Sequence, residues 1–289
     1  MMRSLLFVPG DRPERMEKAL SSGADALVLD LEDSVLTGKK GQAREAVAAF
    51  LTKFLARPRT VPLYVRVNPL GPMTDEDLKW VVPQKPDGIV LPKAEGADSI
   101  RDLDQRLSTL GDLTARILPI ATETPRAVFA LGTYAGAPRL AGLTWGAEDL
   151  PAAIGAATAR EMDGRFTAPY EVVRSLALFA AHAAQVPAID TVYPDFRDQD
   201  GLKAYAARGR RDGFSGMLAI HPAQVPIINA AFGSSDAEIS WAHRVIEAFA
   251  AAPGAGAVQL DGQMLDAPHL IRAKRILGST PKGESSEKS

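Results

Sequence analysis

A (β/α)8 barrel, the TIM-barrel architecture of the α/β class, is the fold this 289-residue sequence predicts, and three observations predict it. Short β-like runs alternate with amphipathic helical stretches, eight of each kind over about 220 residues. The polar and special residues gather just after these runs, never before them, as catalytic residues do at the C-terminal face of such a barrel. A hydrophobic fraction of 46% can fill one large core. A doubly wound open sheet is the competing α/β arrangement, and the count of eight units disfavours it.

The strands are expected at 4–9, 26–31, 63–68, 88–92, 116–121, 140–145, 188–193 and 216–220. Helices read between them include 13–22, 40–55, 99–110 and 169–185. The barrel is expected to occupy 1–232. A short C-terminal extension, 233–277, follows: a helix at 236–251, a strand at 257–260, a tight turn at Asp261-Gly262 and a final helix at 268–277. Too small to be an independent domain, it is expected to pack on its own barrel or on a neighbouring subunit. From 278 to 289 the composition is Ser, Lys, Glu, Gly and Pro, and a disordered tail is expected.

Composition narrows the function. There is no cysteine, which excludes disulfides and thiolate metal sites. The four histidines, His182, His221, His243 and His269, are too dispersed for a zinc cluster. A formal net charge of −2 gives no bias toward nucleic acid or membrane. No run approaches the roughly 18 apolar residues of a membrane span. The first residues lead straight into a strand pattern rather than a signal peptide, so a soluble cytoplasmic protein is expected.

Two carboxylates stand out, Glu123 in Ile-Ala-Thr-Glu-Thr-Pro and Asp149 in Trp-Gly-Ala-Glu-Asp-Leu. They lie about one β/α unit apart, at the ends of successive strands. Side by side on one rim, they suit a hard divalent cation such as magnesium, which takes oxygen ligands and leaves positions for substrate. The alternative is helix capping, because each precedes a proline at an early helical position. Glu148 is an equally placed ligand candidate beside Asp149.

Arg66 closes the alternating strand Leu-Tyr-Val-Arg-Val-Asn. Its planar fork suits a substrate carboxylate or an ion pair with Asp30 or Glu32. Asp30, Glu32 and Asp33 crowd one strand end and demand a cation nearby. Phe7, Arg12 and Lys18 line the first β/α junction, where basic groups beside an aromatic can hold a nucleotide's phosphates and base; a solvated helix face is the other reading. Asp266, in Leu-Asp-Ala-Pro-His, is placed to cap the last helix.

Taken together, the motifs at 6–12 (Leu-Phe-Val-Pro-Gly-Asp-Arg), 30–35 (Asp-Leu-Glu-Asp-Ser-Val), 65–68 (Val-Arg-Val-Asn), 91–93 (Leu-Pro-Lys), 123–125 (Glu-Thr-Pro), 146–150 (Gly-Ala-Glu-Asp-Leu), 219–224 (Ala-Ile-His-Pro-Ala-Gln) and 265–269 resemble the citrate lyase β-subunit-like (CitE-like) proteins of the HpcH/HpaI aldolase group. Their relatives include malyl-CoA and citramalyl-CoA lyases. The motifs run in order along nearly the whole chain. The resemblance implies a TIM barrel, a homotrimer or a dimer of trimers, Mg2+ and a CoA thioester. It implies that Glu123 and Asp149 hold the metal, that Arg66 contacts the keto-acid oxygens, and that Phe7, Arg12 and Lys18 bind the CoA nucleotide. It further implies that Asp266 is an acid/base group delivered from a neighbouring subunit. The expected activity is reversible cleavage of a 3-hydroxyacyl-CoA, such as citramalyl-CoA, malyl-CoA or citryl-CoA, into an acyl-CoA and a 2-keto acid. A CoA-independent, metal-dependent pyruvate aldolase and a non-catalytic thioester-binding protein are the alternatives. The chain is expected to work alone or with citrate lyase subunits.

Overall fold

Successive side chains along each strand point alternately into the barrel and outward beneath the helices, and this alternation decides what faces inward. In the computed structural model, which describes residues 2–55 and 59–278, the strands are β1 (Ser4–Pro9), β2 (Ala26–Asp30), β3 (Leu63–Arg66), β4 (Gly88–Leu91), β5 (Arg116–Pro119), β6 (Leu143–Thr144), β7 (Ala188–Asp190) and β8 (Gly216–Ala219). All pair in parallel, in the order β5-β4-β3-β2-β1-β8-β7-β6. Two parallel bridges, Ile117 to Leu140 and Ile120 to Thr144, join β5 to β6 and close the ring. The expected (β/α)8 barrel is the fold.

Leu5, Val28, Tyr64, Val90, Leu118 and Leu218 fill the barrel interior as one buried cluster. Their neighbours Leu6, Leu27, Leu29, Leu63 and Val65 point outward into the larger core beneath the helices. The period of two then puts Asp30 and Arg66 on the inward side, at the mouth.

The helices are α1 (Pro13–Ala19), α2 (Lys40–Thr52), α3 (Pro72–Val81), α4 (Ala97–Thr109), α5 (Pro125–Ala130), α6 (Asp149–Ile154), α7 (Ala168–Ala183), α8 (Gln199–Asp212) and α9 (Val225–Phe232). Prolines in the first turn of α1, α3, α5 and α7 explain several starts, because the missing N–H has no partner there in any case. Most strands end one to three residues before the periodicity suggests. Beyond those points the chain leaves the ladder to form the polar rim, so residues such as Asn68 and Trp145 are loop residues.

The described residues from Gly233 onward form a second compact unit, separate from 2–232. It comprises α10 (Asp236–Ala251), β9 (Ala257–Leu260), β10 (Gln263–Asp266) and α11 (Ala267–Gly278). Ser235 and Glu238 make a reciprocal capping box at the start of α10. The periodicity does not reveal β10, which pairs antiparallel with β9. The turn between them has positive φ at both Asp261 (50°) and Gly262 (78°), the primed geometry that suits a two-residue hairpin. Val258, Leu265, Ala273 and Ile276 give this unit its own small core. Residues 279–289, most of the expected tail, lie outside the described residues. No described helix is long and apolar enough to cross a membrane.

Candidate active site

The mouth of the barrel is built outward from Asp30. Its two oxygens accept Arg66 Nε (2.6 Å) and Nη2 (2.7 Å) and the backbone amides of Glu32 (2.9 Å) and Ser34 (3.1 Å). Burial alone would raise this carboxyl, but the hydrogen bonds and charge of Arg66 outweigh it and hold the pKa below the ordinary range. The fork-to-fork pair fixes the plane of the guanidinium, whose carbon sits 4.9 Å from the centre of the Phe7 ring.

Arg66 Nη1 also lies 2.8 Å from Glu32 Oε2 and 3.5 Å from Asp33. The Glu32 contact is an ion pair without hydrogen-bond alignment, since Oε2 has no such partner. Burial raises the Glu32 carboxyl, with Asp33 adding to the rise and Arg66 and Lys93 opposing it. From behind, the buried ammonium of Lys40 donates to the carbonyls of Leu31 and Glu32, both at 2.7 Å, and locks the loop that carries the acids.

Lys93 has a left-handed backbone, with φ of 51°. That turn aims its amide at Glu123 Oε2 (2.6 Å) and its ammonium at Glu32 Oε1 (3.0 Å) and Asp149 Oδ2 (3.7 Å). In the sequence Leu-Pro-Lys stands out only as a motif. The available signal for this residue is a lysine directly after a strand-ending proline.

Glu123 and Asp149 converge on Lys93, the first through its amide and the second through its ammonium. Burial, then Asp149 and Glu32, pushes the Glu123 carboxyl up to about 8. Capping does not explain either residue. Thr124 caps α5, accepting the Ala127 amide at 3.1 Å. Asp149 is the first residue of α6, and the position before it, Glu148, makes no side-chain capping bond. Glu148 instead projects toward Arg160 at 3.9 Å with most of its side chain exposed. The geometry therefore selects Asp149 over Glu148 as the neighbour of Glu123.

Five carboxylates (Asp30, Glu32, Asp33, Glu123 and Asp149) share this mouth with two cationic side chains, Arg66 and Lys93. A buried carboxyl held protonated by its neighbours is a group that a cation would ionise, so the residues fit a divalent metal. Among the described residues no three of His, Cys, Asp and Glu converge into a cage. Magnesium binds through one or two carboxylates and keeps other positions for water and substrate.

Of the remaining predicted residues, Phe7 touches this cluster, Arg12 and Lys18 make no hydrogen bond or ion pair with it among the described residues, and Asp266 belongs to the second unit. Phe7 faces the interior under Arg66. Arg12 is half exposed and 3.6 Å from Asp11, and Lys18 is exposed in the last turn of α1. Asp266 precedes α11 in the C-terminal unit, exposed, with Oδ1 2.6 Å from His269 Nδ1.

A profile of the HpcH/HpaI aldolase/citrate lyase family matches residues 3–222. The chain belongs to that family. The citrate lyase subunit beta-like protein of Mycobacterium tuberculosis H37Rv is 36% identical over 274 residues, covering 94% of this chain and 93% of the relative. The (3S)-malyl-CoA thioesterase of Cereibacter sphaeroides KD131 is 34% identical over 283 residues, covering 95% and 93%. The crystal structure of CitE from M. tuberculosis in complex with magnesium, acetoacetate and coenzyme A superposes with a TM-score of 0.79. It shares 33% identity, covering 96% of this chain and 97% of that one.

Proposed function

We propose that this protein is a magnesium-dependent carbon–carbon lyase that cleaves a 3-hydroxyacyl-CoA reversibly into an acyl-CoA and a 2-keto acid. The observation that carries the reading is the convergence of the buried Glu123 carboxyl and Asp149 on Lys93 at the barrel mouth. The CitE relative, solved with magnesium, a small oxo acid and coenzyme A, supports it.

Glu123 and Asp149 would hold magnesium, which would supply Lewis-acid stabilisation of charge on the substrate's hydroxyl and carboxylate oxygens. Arg66, held rigid by Asp30, directs a fixed positive charge at the same oxygens. The bond between the hydroxyl-bearing carbon and the thioester's α-carbon breaks as the hydroxyl gives its proton to solvent water, and the keto acid forms. The electron pair stays as a thioester enolate. Asp266 hands a proton to the α-carbon, and takes it back in the condensation direction. In this reading Asp266 comes from the C-terminal unit of a neighbouring copy, so the active form is a homotrimer or a dimer of trimers. Phe7, Arg12 and Lys18 serve the CoA nucleotide, adding binding energy remote from the reacting carbons.

A second reading, hydrolysis of the thioester, is favoured by the similarity to (3S)-malyl-CoA thioesterase. Products separate the two. Incubation with malyl-CoA, citramalyl-CoA and citryl-CoA, with magnesium, should release a keto acid and leave the acyl-CoA intact. Free CoA thiol with no keto acid from the whole panel would overturn the lyase reading in favour of the hydrolase.

A further inference from the structure

We propose that Thr122 is a positioning residue whose hydroxyl, bonded to the backbone of Gly146, sets the spacing of the Glu123–Asp149 pair. This rests on the metal reading above. β5 and β6 form the thinnest seam of the barrel. β6 has two residues, and among the described residues its side of the barrel meets that of β5 through isolated bridges at Ile117–Leu140 and Ile120–Thr144 rather than a continuous ladder. The last backbone bond across the seam runs from the Ala121 amide to the Thr144 carbonyl, at 2.9 Å. Glu123 and Asp149 stand beyond it, where no ladder holds their loops in register.

The Thr122 side chain continues the ladder there. Its Oγ1 accepts the Gly146 amide at 3.0 Å and donates to the Gly146 carbonyl at 3.1 Å. One hydroxyl so engaged stands in for a backbone pair. Thr122 is 0% exposed, so water does not compete for these bonds. Gly146 is itself shaped for the approach. A Cβ there would lie 2.7 Å from Glu123 Cγ and 3.2 Å from its Oε1, so only glycine lets the second loop come this near the carboxylate. On the far side the preceding residue is anchored, Trp145 Nε1 donating to buried Asp190 at 2.7 Å. The Gly146 loop is thus held from both directions, and the Thr122 bond faces the metal pair.

Thr122→Val keeps the side-chain shape and removes both bonds. In the full chain, magnesium titrated by calorimetry should bind about tenfold more weakly, as when other supports of metal ligands are removed. Thr122→Ser, which keeps the hydroxyl, should stay within about twofold of wild type. With substrate, kcat should fall more than KM for the thioester, because the CoA end is untouched. A folded Thr122→Val protein that binds magnesium as wild type does overturns the proposal. If that variant does not fold, Thr122→Cys, with its longer and weaker hydrogen bonds, decides in the same way: weakened binding supports the role and unchanged binding overturns it. A wild-type chain that binds no magnesium overturns the metal reading itself, and this one with it.

Discussion

Lowering the pH from 8 to 6 should weaken magnesium binding by proton competition at Glu123. Burial, Asp149 and Glu32 push this carboxyl up to about 8, so in the metal-free protein at neutral pH it is mostly protonated. A metal ion takes the ionised form, and binding must release the proton. With a pKa near 8, about half the carboxyl is ionised at pH 8 and about 1% at pH 6, a ~50-fold loss of apparent affinity. Isothermal titration calorimetry in two buffers of different ionisation enthalpy measures both quantities. Close to one proton per metal should be released at pH 7. Glu123→Gln should bind weakly, without the pH slope. Stability without metal follows the same group. Its folded pKa lies above the ordinary 4.5, so its contribution is fully present below about pH 4.5 and lost as pH rises through about 8. Metal-free wild type should therefore lose melting temperature between pH 5 and 9 relative to Glu123→Gln. A magnesium affinity flat from pH 6 to 8, with no proton release, refutes the reasoning.

Other perturbations probe different parts of the molecule. Asp266→Asn should abolish most carbon–carbon cleavage of the 3-hydroxyacyl-CoA, and mixing it with Glu123→Ala should restore activity if sites are shared between subunits; no recovery after co-refolding argues that Asp266 acts within its own chain. Arg66→Lys removes the two-pronged bond to Asp30 and should cut kcat by about tenfold or more, a loss steady-state kinetics would reveal. Asp190→Ala leaves Arg174 buried without the carboxylate it meets at 2.7 Å, and should cost about 3–5 kcal/mol in urea unfolding. A cost below about 1 kcal/mol would mean that Asp212, also 2.7 Å from Arg174, suffices.

Local sequence was enough to determine the barrel, because a strand's alternation and a helix's 3.6-residue period are short-range properties. The run Leu-Tyr-Val-Arg fixes its own facing: with Tyr64 inward, Arg66 must be inward too. The same alternation puts Asp30 beside it, and the adjacent acids require a cation near them. Strand β10 stays hidden in the sequence because only Leu265 of its four residues is buried, leaving no alternating face to read.

What the tertiary structure alone decided was which of several adequate groups meets which. Thr124 rather than Glu123 caps α5, and Asp149 rather than Glu148 joins Glu123 at Lys93. Glu148 and Asp149 are adjacent carboxylates, and the start of α6 separates them: Glu148 precedes the helix and lies 3.9 Å from Arg160, while Asp149 is its first residue. Thr122 is silent because its partner lies 24 residues away in sequence, and Lys93 shows in the sequence only as the end of a Leu-Pro-Lys motif, its partner Glu123 lying 30 residues away. The raised pKa of Glu123 is likewise invisible in the letters. Sequence could place two carboxylates at neighbouring strand ends; only burial at the closed seam makes one of them hold its proton.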